Sequence, residues 1–267
     1  MFEEFLQHSE NSLYSKDQYS EYALGFHIEP TTEPQDFQVA LIGVREDRNS
    51  INNSGCSEAP DVIRQQLFHL ARHQSLIRIA DLGNIDQGNT VRDTMVALSK
   101  VVNELLRMRI LPVIIGGSHE MTFGQFVGYQ GLNRNINITL VDCSIDLNNE
   151  QGNMDDKNFV LNMLQHQPSY IFNLYMMGYQ THLTSLQALE LLEKLQFECF
   201  RLGKVQQDIT EMEPVFRSTN LCSFDVSAIR FADAPGVGDA TPNGLYAEQA
   251  CQLARYAGQS DIVDSFG

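Results

Sequence analysis

In LVDCSIDL, residues 140–147, two acids and a serine fall at alternating positions: Asp142, Ser144 and Asp146. In extended chain, residues two apart share a face, so these three point one way while Cys143 and Ile145 point the other. A buried strand that ends in carboxylates needs a cation or hydrogen-bond donors at its tip. Two more segments carry related chemistry. His119 follows a glycine pair in IIGGSHE, and SFDVSAIRFADAPG (223–236) sets Asp225 and Ser227 two residues apart. His119, Asp142, Asp146 and Asp225 together offer one nitrogen and three carboxylates, a set suited to Mn²⁺ or a similar divalent ion. Each piece has another reading when taken alone. His119 reads equally as a loop histidine, D-x-S-x-D as a solvated turn or helix N-cap, and SFDV as a strand whose acid caps the next element. Their joint occurrence at three strand ends adds weight to the metal without excluding the alternatives.

The elements that carry these residues alternate. QVALIGV (38–44), RIADLG (78–83), LPVIIGG (111–117), NITLVD (137–142), YIFNLYMMGY (170–179) and LCSFDV (221–226) read as strands, and IVDSFG (262–267) as the start of one. Their nearly continuous apolar runs suit parallel strands buried on both faces. Helical spacing marks DVIRQQLFHLARH (61–73), TVRDTMVALSKVVNELLRM (90–108), LTSLQALELLEKL (183–195) and LYAEQACQLARYAG (245–258). Such alternation predicts a single α/β domain with a mostly parallel sheet covered on both faces. Ligands bind beyond the carboxyl ends of such strands, which is where the polar residues above cluster. Residues 1–36 read as an N-terminal extension with one or two short helices.

The formal charge of -16 argues against a nucleic-acid partner, since phosphate contacts need Lys and Arg. Five scattered cysteines without a C-x-x-C pair fit a reducing, cytoplasmic setting. MFEEFLQHSENS lacks the apolar core of a signal peptide, and no apolar run is long enough to span a bilayer. No strand-to-helix turn carries a nucleotide-binding glycine motif.

The chain resembles the ureohydrolase superfamily of arginase, agmatinase and, most closely, formiminoglutamase. The motifs of that superfamily read roughly GGDHS, DAHxD and SFDxDxxDPxxAPG; this chain has GGSHE at 116–120, DCSID at 142–146 and SFDVSAIRFADAPG at 223–236. GVREDRNSINNSGCSEAPDVIRQQL and ATPNGL (240–245) are similar to its early loop and its late loop. The resemblance covers most of residues 38–260. It implies an arginase-like three-layer α/β/α sandwich over 37–267. It also implies two Mn²⁺ ions that activate water against a small amidine or guanidino substrate. Rings of subunits are common in the superfamily, so a homo-oligomer is the corresponding expectation.

Carried over position by position, the match is uneven. His119, Asp142, Asp146 and Asp225 stand at ligand positions of the superfamily, whereas Ser144 replaces a His ligand and Ser227 an Asp ligand. Both losses fall on the same ion, so at most one Mn²⁺ per chain is expected, serine being a weak neutral ligand. Asn148 matches an asparagine that helps hold a substrate carboxylate, with a turn asparagine as the equal alternative. NNEQGNMDDKNFVLN supplies no histidine where relatives carry a proton shuttle, and no catalytic residue is assigned. Glu120 is a further carboxylate beside His119. Phe266-Gly267 falls at the threshold of the strand whose Glu-x-Asn-Pro element grips substrate nitrogens, so the chain is expected to end before the superfamily's last strand and helix. Two functions remain open: a metal-dependent hydrolase of linear amidine C–N bonds, with formiminoglutamate as the leading substrate, and an inactive pseudoenzyme with a binding or assembly role.

Overall fold

The computed structural model describes residues 3–7, 11–73, 76–148, 154–239 and 241–267. The chain divides into two compact units: Met1–Asn49 with Ser54–Leu132 and Gly267, and Ser50–Asn53 with Asn133–Phe266. Both have the α/β character expected from the sequence.

In the first unit the strands are β1 (Leu6–Gln7), β2 (Glu29–Pro30), β3 (Val39–Val44), β4 (Ile79–Ile85) and β5 (Leu111–Ile115). The helices are α1 (Leu24–His27), α2 (Ala59–Leu67), α3 (Val91–Met108) and α4 (Met121–Val127). Strand β3 pairs in parallel with β4 and β5, β2 runs parallel to β4, and β1 pairs with β4 antiparallel. Residues within 1–36 thus add two short strands and a four-residue helix. Tyr19, Ala23 and Ile28 pack there with Leu41 and Phe68 in a buried apolar cluster.

The amphipathic run at 90–108 forms α3, opened by a reciprocal cap in which Thr90 and Asp93 bond each other's backbone N–H. Its buried face includes Leu98, Val101, Val102 and Leu105. Helix α4 lies against α3 at glycines: a Cβ on Gly128 would stand 2.5 Å from Val102 Cγ1.

One buried network is not legible in the strand pattern. Arg64 of α2 is fully buried. It donates to both Asp81 carboxylate oxygens at 2.8 and 3.1 Å, to Asn84 Oδ1 at 2.6 Å and to Gly83 O at 2.8 Å. Asp81 and Asn84 point out of β4 into an apolar layer and are tolerated because one guanidinium satisfies both.

In the second unit β6 (Ile136–Val141), β7 (Ile171–Met177), β8 (Glu198–Phe200), β9 (Leu221–Phe224) and β10 (Ser265–Phe266) form a parallel array in the order β10-β9-β6-β7-β8. The connecting helices are α5 (Phe159–Gln165), α6 (Leu186–Lys194), α7 (Leu202–Gln207), α8 (Glu213–Ser218) and α9 (Ala247–Gln259). Val141, Met177, Phe216, Cys222 and Leu253 belong to a buried apolar cluster of this unit. Strand β8 and helices α5, α7 and α8 are too short for periodicity to reveal, and tertiary packing decides them. Among the described residues no helix is long and apolar enough to cross a membrane.

Arg64→Leu leaves Asp81 as a buried carboxylate without its cation, and is expected to lower stability by about 3–5 kcal/mol. Chemical denaturation checks this; a loss under about 1 kcal/mol would mean that water reaches Asp81.

Candidate metal centre

The first unit positions His119 through backbone geometry. Gly116 and Gly117, at the end of β5, adopt φ of +76° and +78°, the left-handed region that other residues enter at a cost. A Cβ on Gly116 would also stand 2.8 Å from Pro60. The turn is tied down where Ser118 N donates to Glu46 O at 2.8 Å. His119 then lies in the turn that opens α4, its carbonyl accepting from Thr122 N at 3.0 Å, and is partly exposed. Its neighbour Glu120 is fully buried.

The second unit holds the remaining predicted ligands. Strand β6 stops at Val141, and the chain bends at Cys143 and Ser144 instead of staying extended. Asp142 and Asp146 are nonetheless brought together at 1% and 2% exposure, with carboxylate oxygens within 4.8 Å of one another. Their backbone is held from the neighbouring strand: Asp142 N donates to Met177 O at 3.0 Å. Gly178, at φ +93°, lies so close that a Cβ would be 3.2 Å from Asp142 O.

The two serines join this cluster as donors. Ser144 Oγ donates to Asp146 Oδ1 at 3.0 Å, and Ser144 N to Asp142 Oδ1 at 3.2 Å. Ser227 Oγ donates to Asp142 Oδ1 at 3.1 Å. Asp225 follows β9 and caps a single helical turn, accepting from Ser227 N at 2.6 Å while its own N–H donates to Val141 O at 2.9 Å. Asp225 and Ser227 therefore adjoin through a turn rather than along a shared strand face.

Because of the bend, Cys143 does not turn away from the cluster. Its thiol donates to Ser227 Oγ at 3.4 Å. Burial, and then the Asp142 carboxylate beside it, push that thiol up to about 12. Asn148 is exposed, and its N–H donates to Lys157 O at 3.0 Å. Residues 149–153, part of the loop that lacks a histidine, lie outside the described residues, as does Ala240 of the ATPNGL segment.

Two charged residues of the same unit carry no mark in the sequence motifs. Lys157 Nζ lies 2.8 Å from Asp239 Oδ2, with the lysine side chain 24% exposed. Burial alone lowers an ammonium's pKa. Here the charge of Asp146, the bond to Asp239 and the charge of Asp142 reverse that and hold Lys157 above the ordinary lysine value. Asp239 also accepts from Asn52 Nδ2 at 2.8 Å. The only signals available were a lone lysine after two acids in MDDKNF, and an acid closing the glycine-rich APGVGD.

Chemically, two nearly dry carboxylates that converge suit a hard divalent ion. Hydroxyls at Ser144 and Ser227 hydrogen-bond those carboxylates but bring no charge of their own. The cysteine chemistry is inert: alkylation of the native protein at pH 8 is expected to label exposed Cys251 and spare Cys143. Peptide mass mapping reads this out, and rapid labelling at Cys143 would show an open, activated thiol instead.

Comparison with known proteins places the chain. A formimidoylglutamase of Clostridium tetani is 23% identical over 241 residues, covering 82% of this chain and 70% of that protein. The crystal structure of Trypanosoma cruzi formiminoglutamase with Mn²⁺ superposes with a TM-score of 0.80 at 19% identity, covering 96% of this chain and 87% of the other. The formimidoylglutamase of Bacillus subtilis gives a TM-score of 0.79 at 21% identity over 97% and 84% of the two chains. These superpositions establish the arginase-like α/β fold. The model of the arginase family matches residues 37–265, and the chain belongs to that family.

Proposed function

We propose that this chain is a metal-dependent hydrolase of linear amidine C–N bonds, acting on formiminoglutamate or a closely related small amidine, with at most one Mn²⁺ per chain. The observation that carries the reading is the buried pair Asp142 and Asp146, with Ser144 and Ser227 bonded to them, in an arginase-family chain. The proposed ligands are Asp142 and Asp146, joined by Asp225 from the next strand and by His119. Held by these residues, Mn²⁺ would supply Lewis acidity and lower the pKa of a water for hydrolysis of an amidine.

The chain's own residues supply the rest. The burial of Asp142 and Asp146 keeps bulk water from competing for their oxygens, which strengthens every charge interaction at the cluster. Ser144 and Ser227 each spend a hydroxyl on a carboxylate oxygen, which fixes the carboxylates' orientation. Asn148, exposed at the end of the DCSID loop, is the residue proposed to hold a substrate carboxylate. A cytoplasmic setting, read from five scattered cysteines without framework spacing, belongs to the same proposal.

The depleted ligand set also favours a second reading: the arginase fold retained for ligand binding, without turnover. Formamide release from formiminoglutamate, measured alongside arginine and agmatine after Mn²⁺ loading, separates the two. The expected outcome is turnover of formiminoglutamate, with about one Mn²⁺ or less per chain by elemental analysis and loss of both metal and turnover in Asp142→Asn. One bound ion without turnover of any of the three substrates would leave the second reading. Two tightly bound ions would contradict the one-ion site. The paired substitution Ser144→His with Ser227→Asp is expected to raise metal content towards two.

A further inference from the structure

The segment that follows β7 props the bend at 142–143. Met177 O accepts from Asp142 N at 3.0 Å, and Gln180 N donates to Cys143 O at 2.8 Å, on either side of the close-packed Gly178. Gln180 is 4% exposed, and its side chain engages a different stretch of chain. Its Nε2 donates to Asn243 O at 2.9 Å and to Thr241 Oγ1 at 3.3 Å, while its Oε1 accepts from Asn243 Nδ2 at 2.9 Å. Thr241 Oγ1 itself donates to Asn243 O, which closes the turn at 241–243. Both ends of one buried amide are thus spent on a turn 61 to 63 residues further along the chain. A reciprocal amide pair of this kind fixes orientation as well as distance.

The same stretch is fastened on its flanks. Before the turn, Asp239 pairs with Lys157 at 2.8 Å, and the Lys157 carbonyl accepts from Asn148 N, two residues beyond Asp146. After the turn, Leu245 N donates to Ala228 O at 2.8 Å and Leu245 O accepts from Arg230 N at 3.1 Å, just past Asp225 and Ser227. That approach needs glycine, since a Cβ on Gly244 would stand 2.5 Å from Arg230 N. The turn is therefore tied to the segments that carry Asp142, Asp146 and Asp225. Pro242 and Asn243 are exposed, so it presents a surface to a solute.

We propose that Gln180 is a positioning residue that determines specificity: its buried amide seats the 241–243 turn as a wall for a small amidine beside the carboxylates of Asp142 and Asp146. This rests on the hydrolase reading above. Gln180 acts through the turn and is not itself a catalytic residue. Its backbone N–H, which props the Cys143 carbonyl, survives any change of side chain. Loss of the amide is thus expected to release the turn while the bend stays in place.

Steady-state kinetics on formiminoglutamate, with the full chain loaded with Mn²⁺, compare the wild type with Gln180→Met, Asn243→Ala and the double variant. Elemental analysis gives metal content, and hydrogen exchange of the 241–245 peptide gives the order of the turn. Methionine nearly fills the volume of glutamine without a donor or strong acceptor, so the fold is expected to hold. Gln180→Met is expected to raise KM about tenfold, as two lost hydrogen bonds imply, with kcat and Mn²⁺ content within about threefold and faster exchange at 241–245. Asn243→Ala is expected to raise KM in the same sense, and the double variant to be no worse than the worse single one, because both remove one interaction. An unchanged KM in Gln180→Met overturns the proposal, whatever the exchange shows. So does a rise in KM accompanied by loss of Mn²⁺, which would make Gln180 a support of the ligands instead, and so does additivity of the two substitutions. If Gln180→Met does not fold, Asn243→Ala decides alone by the same split between KM and kcat. If the wild type turns over no amidine, the hydrolase reading fails and the dissociation constant of formiminoglutamate takes the place of KM. About tenfold weakening in Gln180→Met then upholds the role of Gln180. Unchanged affinity, or no binding by the wild type, removes it.

Discussion

The need of two buried carboxylates for positive charge governs the second unit. Asp142 and Asp146 sit where β6 gives out, nearly dry and close together. Leaving both ionised without compensation would cost more than one domain's net stability can absorb. The surrounding sequence answers that need locally. A bend replaces the extended chain at 143–144, and serine hydroxyls cover carboxylate oxygens. Lys157, 2.8 Å from Asp239, is held above the ordinary lysine value in part by the charges of the same acids.

The serines change what the site is able to do. A histidine or aspartate in their place would add a ligand to a second ion; a hydroxyl only adds a hydrogen bond to a ligand already present. The proposed chemistry therefore depends on one ion, with less stabilisation of developing charge than a two-metal clamp provides.

Much of this architecture is legible in the residues themselves. Strand β3 announces itself as a continuous apolar run because nearly all of it is buried, and α3 does so through its spacing and its Thr90–Asp93 cap. Asp142, Ser144 and Asp146 form a cluster, as their spacing suggests, but by a different route. The shared strand face expected of them does not hold past Val141, and hydrogen bonds across a bend bring the three together. The same bend explains why Cys143, expected to face away, reaches Ser227. Arg64 and Lys157 are illegible for a common reason. Each finds its partners by tertiary packing, Arg64 in a strand 17 to 20 residues later and Lys157 at the distant Asp239. Periodicity carries no information about such pairings. The short β8, α5, α7 and α8 are equally hidden, because their existence depends on what packs over them.

A single divalent ion is the proposed occupant of this cluster. Anomalous scattering at the manganese edge, from crystals grown with excess Mn²⁺, tests that most directly. A one-ion site predicts one manganese peak at the carboxylates of Asp142 and Asp146. Two full manganese peaks at those carboxylates would contradict it.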